Sequence, residues 1–214
     1  ISRDHIVSAP KEDCYFLATR TNGSLRGVRE ITTTALLAAI ASILMFLDFA
    51  LPIFPSFLKM DISDVPAFIA AFAIGPQAGV MVELIKNLVN LTHTSTGGIG
   101  ELANFSIGVA LVLPAGMLYQ QKRTLQSALW GVTVGTLFMA ALASVANYYV
   151  LIPLYSRLVP LETIIAMYQA INPSADTLGK VILMSTMPSN LLKGGIVSAV
   201  TLLLYKRLAR VIRT

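Results

Sequence analysis

The chain has 214 residues, 55% of them hydrophobic and 13% charged, with a mean hydropathy of +0.72. Soluble domains average about 25% charged residues, so this composition excludes an ordinary soluble core and indicates a helical bundle in lipid. The net charge of +5 does not point to nucleic acid, because the basic residues flank apolar spans and form no basic domain of their own. One cysteine, Cys14, excludes an internal disulfide.

In chain order, the first thirty residues read as a polar tail. It carries Arg3, Lys11, Arg20, Arg26 and Arg29 among Asp4, Glu12, Asp13 and Glu30. A secretory signal would place a short apolar run and a small-residue cleavage site here. The apolar run instead begins at Ile31 and lasts a full span, which predicts an uncleaved first helix. The chain starts at Ile1 rather than methionine, so the true start is expected to be missing or the tail partly foreign, and it receives no function. The predicted domains are this tail (1–30), a six-helix membrane-embedded domain (31–207) and a basic cytoplasmic end (208–214).

Hydropathy and helix breakers give an all-α membrane protein with six transmembrane helices and a structured first outer loop. The first span is Ile31–Ala50. A proline-rich segment follows, Leu51–Met60, too broken by Pro52 and Pro55 for a regular helix. Val65–Ile74 and Gln77–Leu91 are parted by Gly75-Pro76, and both are short for crossing a bilayer, which takes roughly 20 residues. The remaining spans are Gly100–Tyr119, Ser127–Ile152 ending at Pro153, and Val181–Tyr205. Asp64 or Val65 is expected to cap the second helix, with Pro66 in its first turn. No long internal repeat of the kind built into many carriers is visible.

With the N-terminus inside, eleven of the sixteen Lys and Arg residues fall on the cytoplasmic side. That asymmetry predicts a cell-membrane protein with both termini cytoplasmic. The Leu51–Met60 segment, the loop at His93–Gly100 and the Tyr155–Lys180 loop then share the outer face.

Polar residues inside the spans carry the functional signal. Lys193 lies thirteen positions from both Lys180 and Lys206, near mid-membrane. A charge there is costly, by about 2.5–3.5 kcal/mol on insertion scales, and such residues face a cavity, a partner or a substrate. Ser189, Asn190 and Lys193 share one helix face, and Pro188 frees a backbone carbonyl beside them. Glu83, Lys86, Asn87 and Asn90 share a face of the third helix. Glu83 and Lys86 are expected to neutralise each other rather than meet a substrate, which leaves Lys193 with no obvious carboxylate. Asn147 lies near the outer end of the fifth helix. Glu101 and Asn104 open the fourth, after a flexible turn at Thr96–Gly100. Together these groups predict a ligand pocket open to the outside; the plain alternative is interhelical hydrogen bonding. The reading fails if Lys193 is clasped by an acidic neighbour with no hollow beside it.

On the first helix, Ala35/Ala39 and Ala38/Ser42 form small-xxx-small pairs, suited either to internal packing or to an external helix. The sequence contains no phosphate-binding G-x-x-x-x-G-K-[ST] loop and no H-E-x-x-H motif. His5 and His93 offer no metal spacing, so no metal or cofactor is expected. The chain is not expected to be an enzyme, and energy for uptake must come from a partner or an ion gradient.

The run Phe54–Ala67 resembles the first outer loop and second-helix start of riboflavin-specific substrate-binding subunits of energy-coupling-factor (ECF) transporters. Val82–Asn87, Gly98–Phe105 and Pro188–Lys193 are similar to that family too, and the resemblance covers Ile31 to Arg207. It implies a six-helix subunit that binds riboflavin near the outer face and topples to carry it inward. It also implies partners: a transmembrane coupling subunit and two ATP-binding subunits, with Ala35 and Ala39 meeting the coupling subunit. The ligand-binding positions it implies are Asn190 and Lys193, with Asn147, Phe57 and Leu58; Glu101 and Asn104 join them from the polar cluster. Alternatives are a stand-alone ion-coupled carrier with Glu83 as proton site, a subunit for another vitamin, and, remotely, a membrane enzyme using Glu101 and Lys193.

Overall fold

The computed structural model describes residues 11–50, 59–94, 97–156 and 160–212. The chain divides into two compact units, Ile1–Thr33 and Thr34–Thr214. Helix α1 is Lys11–Phe46, and its apolar part is Gly27–Phe46. It stops four residues short of the expected Ala50. Phe49–Ala50 (β1) instead pairs antiparallel with Lys59–Met60 (β2), Phe49 opposite Met60. The residue before a proline resists helical backbone, so Pro52 already requires an exit, and the ladder advances it.

Helices α2 (Asp64–Ala73) and α3 (Pro76–Asn90) follow, and a 3-10 turn at Leu91–His93 leads out of α3. Helix α4 is Ile99–Lys122. It starts after Gly97 and Gly98, both at positive φ, a backbone shape that glycine adopts without a Cβ penalty. Helix α5 (Leu125–Ala146) opens on a capping box in which the Thr124 and Ser127 side chains each bond the other's backbone N–H. It continues through a π-turn at Asn147–Leu151 into α6, Ile152–Tyr155. In the connection between α6 and the next helix, α7 is Leu161–Gln169. Its Tyr168 is buried with Ala175 and Val181, and burial pushes the phenol up to about 12. Helix α8 (Leu178–Val181), a second π-turn at Ile182–Thr186 and α9 (Met187–Ile212) complete the chain.

Among the described residues four helical runs are long and apolar enough to cross a membrane: Gly27–Phe46, Ile99–Lys122, Leu125–Tyr155 and Leu178–Leu204. This is a helical, multi-pass membrane protein. The other two expected spans are shorter helices of 10 and 15 residues, about 15 and 22 Å long at 1.5 Å per residue.

Pro153 does not end the fifth span as expected. Each π-turn sits just before a proline, with Ile152 N–H bonded to the Asn147 carbonyl and Met187 N–H to that of Ile182. The wider turn takes up the misfit that a proline ring imposes on the preceding turn, so both helices carry on.

The short helix α2 lies deepest. Eight of its ten residues are buried, and Ala67, Phe68, Ala70 and Ala71 are fully enclosed. They pack with Ala38 and Ala41 of α1, Val82 of α3, Leu111, Val112 and Ala115 of α4, Met139 of α5 and Val197 of α9. Small residues permit this crowding: a Cβ on Gly135 would strike the Leu111 carbonyl, so α4 and α5 touch almost backbone to backbone.

Candidate functional site

The start of α2 gathers the buried charges. Its cap residue is Ser63, in helical backbone and without a side-chain cap bond; the expected cap, Asp64, lies in the first turn instead. That rotation turns Asp64 away from its own helix end and towards two lysines. One of its oxygens, Oδ1, meets Lys86 Nζ, and Oδ2 lies 3.2 Å from Lys193 Nζ. Asp61 Oδ2 stands 3.2 Å from the same ammonium. Asp61 Oδ1 accepts the Ser63 backbone N–H at 2.8 Å and also the Ser63 hydroxyl.

Lys193 therefore corrects the expectation that it lacks a carboxylate. It is clasped by two, from a loop end and a helix start 132 and 129 positions away. It is not sealed, however: its side chain keeps 12% exposure, whereas that of Lys86 has none. The third oxygen beside it is Asn104 Oδ1, at 3.4 Å. One turn above, Asn190 and Ser189 both donate to the Thr186 carbonyl, at 2.8 and 2.9 Å.

Lys86 is the second hub. Besides Asp64 it contacts Glu83 at 2.9 Å and donates to Ser63 Oγ at 2.9 Å. Glu83 and Lys86 are thus paired as expected, with Asp64 joining them. Glu83 is in charge contact only, since neither carboxylate oxygen has a hydrogen bond. It fits because its neighbour on α4 is a glycine: a Cβ on Gly108 would collide with the carboxylate. A chain of amides runs alongside. Asn104 donates to Asn87 Oδ1 at 3.1 Å, and Asn87 donates to the Glu83 carbonyl at 2.8 Å.

The cluster contains three carboxylates and two ammoniums. Taking charges out of water is expensive unless each is paired, and the pairing here crosses four parts of the chain: the loop before α2, then α2, α3 and α9.

Of the predicted ligand residues, Lys193 and Asn104 come together directly, with Asn190 on the same helix one turn away. Glu101 is placed otherwise. It accepts from Asn90 at 3.3 Å and from Thr94 at 2.9 Å, and Thr94 in turn accepts the Gly98 N–H at 3.1 Å, so Glu101 braces the turn before α4. Asn147 donates to the Ala143 carbonyl at 2.8 Å from the first π-turn, which packs against the second. Phe57 and Leu58 lie outside the described residues. Sequence reasoning gave Asp61 and Ser63 no role and offered Asp64 or Val65 as the cap. The available signal was three polar side chains in four residues, just ahead of a strongly apolar helix.

The two alanine pairs of α1 separate. Ala38 and Ser42 are buried, with Ser42 bonded to the Ala38 carbonyl at 2.9 Å, while Ala35 and Ala39 are exposed.

The comparisons with known proteins give the class. Residues 29–205 match the family described as ECF transporter, substrate-specific component, and the chain belongs to that family. Among curated relatives, "Riboflavin transporter RibU" of Staphylococcus aureus (strain TCH60) is 36% identical over 86% of this chain and 93% of its own length. "Riboflavin transporter FmnP" of Bacillus subtilis (strain 168) is 33% identical over 85% and 92%. A solved structure of the S component of a bacterial ECF transporter aligns with TM-score 0.70 and 34% identity, covering 88% of this chain and 99% of that one. These relatives are transporter components, not enzymes.

Proposed function

We propose that this chain is the riboflavin-binding subunit of an ECF transporter in the cell membrane, taking the vitamin at the outer face and passing it inward with an ATP-driven coupling module. The observation that carries the reading is the match, over nearly the full length of each chain, to two proteins named as riboflavin transporters. In this reading α2 and α3 complete a six-helix set, residues 1–30 and 208–214 flank the membrane domain, and both termini are cytoplasmic.

The chemistry of the cluster is compatible with this ligand. Riboflavin is neutral near pH 7, with carbonyls, ring nitrogens and one N–H along one edge and an apolar xylene at the other. Lys193 donates to a ring carbonyl in place of Asn104, the most distant of its three oxygens. Asn190 both donates and accepts along the same edge. Asn147, Asn104 and Glu101 line the route from outside, and Phe57 and Leu58 cover the apolar part. With its charge already balanced by Asp61 and Asp64, Lys193 reads a neutral ligand as a hydrogen-bond donor, not as a counter-ion.

Detergent-purified protein should be yellow or should quench added riboflavin fluorescence on binding. Lys193→Met and Asn190→Ala should each weaken binding about 10–100-fold, the worth of one charge-assisted or well-buried hydrogen bond. Parent-like affinity in both removes the site assignment, and a colourless parent that binds no flavin removes the substrate. Proteoliposomes holding this chain alone should not accumulate the vitamin; accumulation would favour a self-sufficient ion-coupled carrier.

The exposed Ala35 and Ala39 are the docking face for the coupling subunit. Leucine at both positions should abolish co-purification with that subunit while leaving flavin binding intact, and loss of both properties would indicate misfolding instead.

A further inference from the structure

We propose that Asp64 is a positioning residue for the ligand site: it fixes where the Lys193 ammonium points by dividing its two oxygens between Lys193 and the fully buried Lys86. The inference rests on the flavin-binding reading above and names the part of the molecule that prepares its main donor.

Three observations carry it. Asp64 is 1% exposed and sits in the first turn of the most enclosed helix in the molecule, so its carboxylate has little freedom. Its far oxygen is anchored by Lys86, which also donates to Ser63 Oγ at 2.9 Å. Its near oxygen is 3.2 Å from Lys193, whose side chain is the only one of the two buried lysines with any exposure. A lysine side chain is long and rich in rotamers. Fixing its head beforehand spares the cost of ordering it when the ligand arrives. Asp61 contributes a second hold, but from the loop end rather than from the enclosed helix.

The structure also supplies a matched control. Asp64→Asn and Glu83→Gln each replace one acidic side chain of the cluster by its amide of the same size. Both residues are buried, and both contact Lys86. Only Asp64 also contacts Lys193 within ion-pair distance. A general effect on the packing or stability of the cluster would move both variants alike, whereas positioning would move only one.

The test is riboflavin titration of the purified full chain in detergent, with folding followed by thermal melting. Asp64→Asn should weaken binding about 10–100-fold, and Glu83→Gln by no more than about threefold. In a Lys193→Met background, Asp64→Asn should change affinity by less than about threefold, because the residue acts through Lys193. Equal losses in the two single variants, parent-like binding by Asp64→Asn, or an undiminished loss in the Lys193→Met background would each overturn the inference. Should Asp64→Asn fail to fold, Asp64→Glu keeps the charge and moves the carboxylate by one methylene, and the same comparisons decide. A parent chain that binds no riboflavin refutes the proposed function instead, and the two failures are thereby distinguished.

Discussion

Two groups of buried and part-buried polar residues behave in opposite ways. Asp61, Asp64, Glu83, Lys86 and Lys193 are linked by ion pairs, three of the four between elements far apart in sequence. Asn147 and Asn190 each donate to a carbonyl four residues back in their own helix. The first group ties the bundle together. The second leaves the bundle's assembly untouched and keeps an amide oxygen for other partners. A polar residue in a membrane helix therefore has two distinct roles, and only its partner separates them.

The largest effect should come from breaking the first group at its centre. Lys86→Met leaves Asp64 and Glu83 buried without their shared ammonium, which costs about 3–5 kcal/mol. That is a large share of the 5–15 kcal/mol that holds a typical domain folded. The variant should melt far below the parent in detergent, or fail to accumulate as folded protein. A parent-like melting curve would erase the contrast.

Gly108→Ala presses on the same cluster from α4. A Cβ there meets the Glu83 carboxylate, and overpacking of this kind costs about 1–3 kcal/mol. Its melting temperature should fall between those of Lys86→Met and the parent. Pairing it with Glu83→Ala, which opens the space, should recover part of the loss if collision is the cause.

The smallest effect belongs to the second group. Asn147→Ala and Asn190→Ala each remove a bond within one helix, and even polar contacts between membrane helices average only about 0.6 kcal/mol. Both should melt close to the parent. For Asn190→Ala this sharpens the comparison, because flavin affinity should fall while stability does not. A melting temperature lowered as much as that of Lys86→Met would move Asn190 into the first group.

Much of this was legible in the sequence. The long apolar runs located four membrane-spanning helices, and Gly75-Pro76 marked the break between two shorter ones. Lys193 stood out because lipid makes a mid-span charge expensive, and the spacing of Glu83 and Lys86 placed them on one face. Helix ends were less legible. A β ladder ended α1 at Phe46, and two π-turns carried helices past Pro153 and up to Pro188, because both devices depend on neighbours rather than on local propensity. The role of Asp64 was concealed by a good local explanation: an acidic residue at a helix start already satisfies the capping rule.

By itself the sequence determined the solvent, the positions of the long helices, the family resemblance and the existence of a costly buried cation. Hydropathy and periodicity are local properties, written in runs of about twenty residues. Which carboxylates neutralise that cation was decided only by the tertiary structure. Asp61 and Lys193 are 132 positions apart, and no periodicity relates them. They meet because α2 packs against α3, α4 and α9, which brings its charged first turn, and Asp61 just ahead of it, beside the Lys193 ammonium.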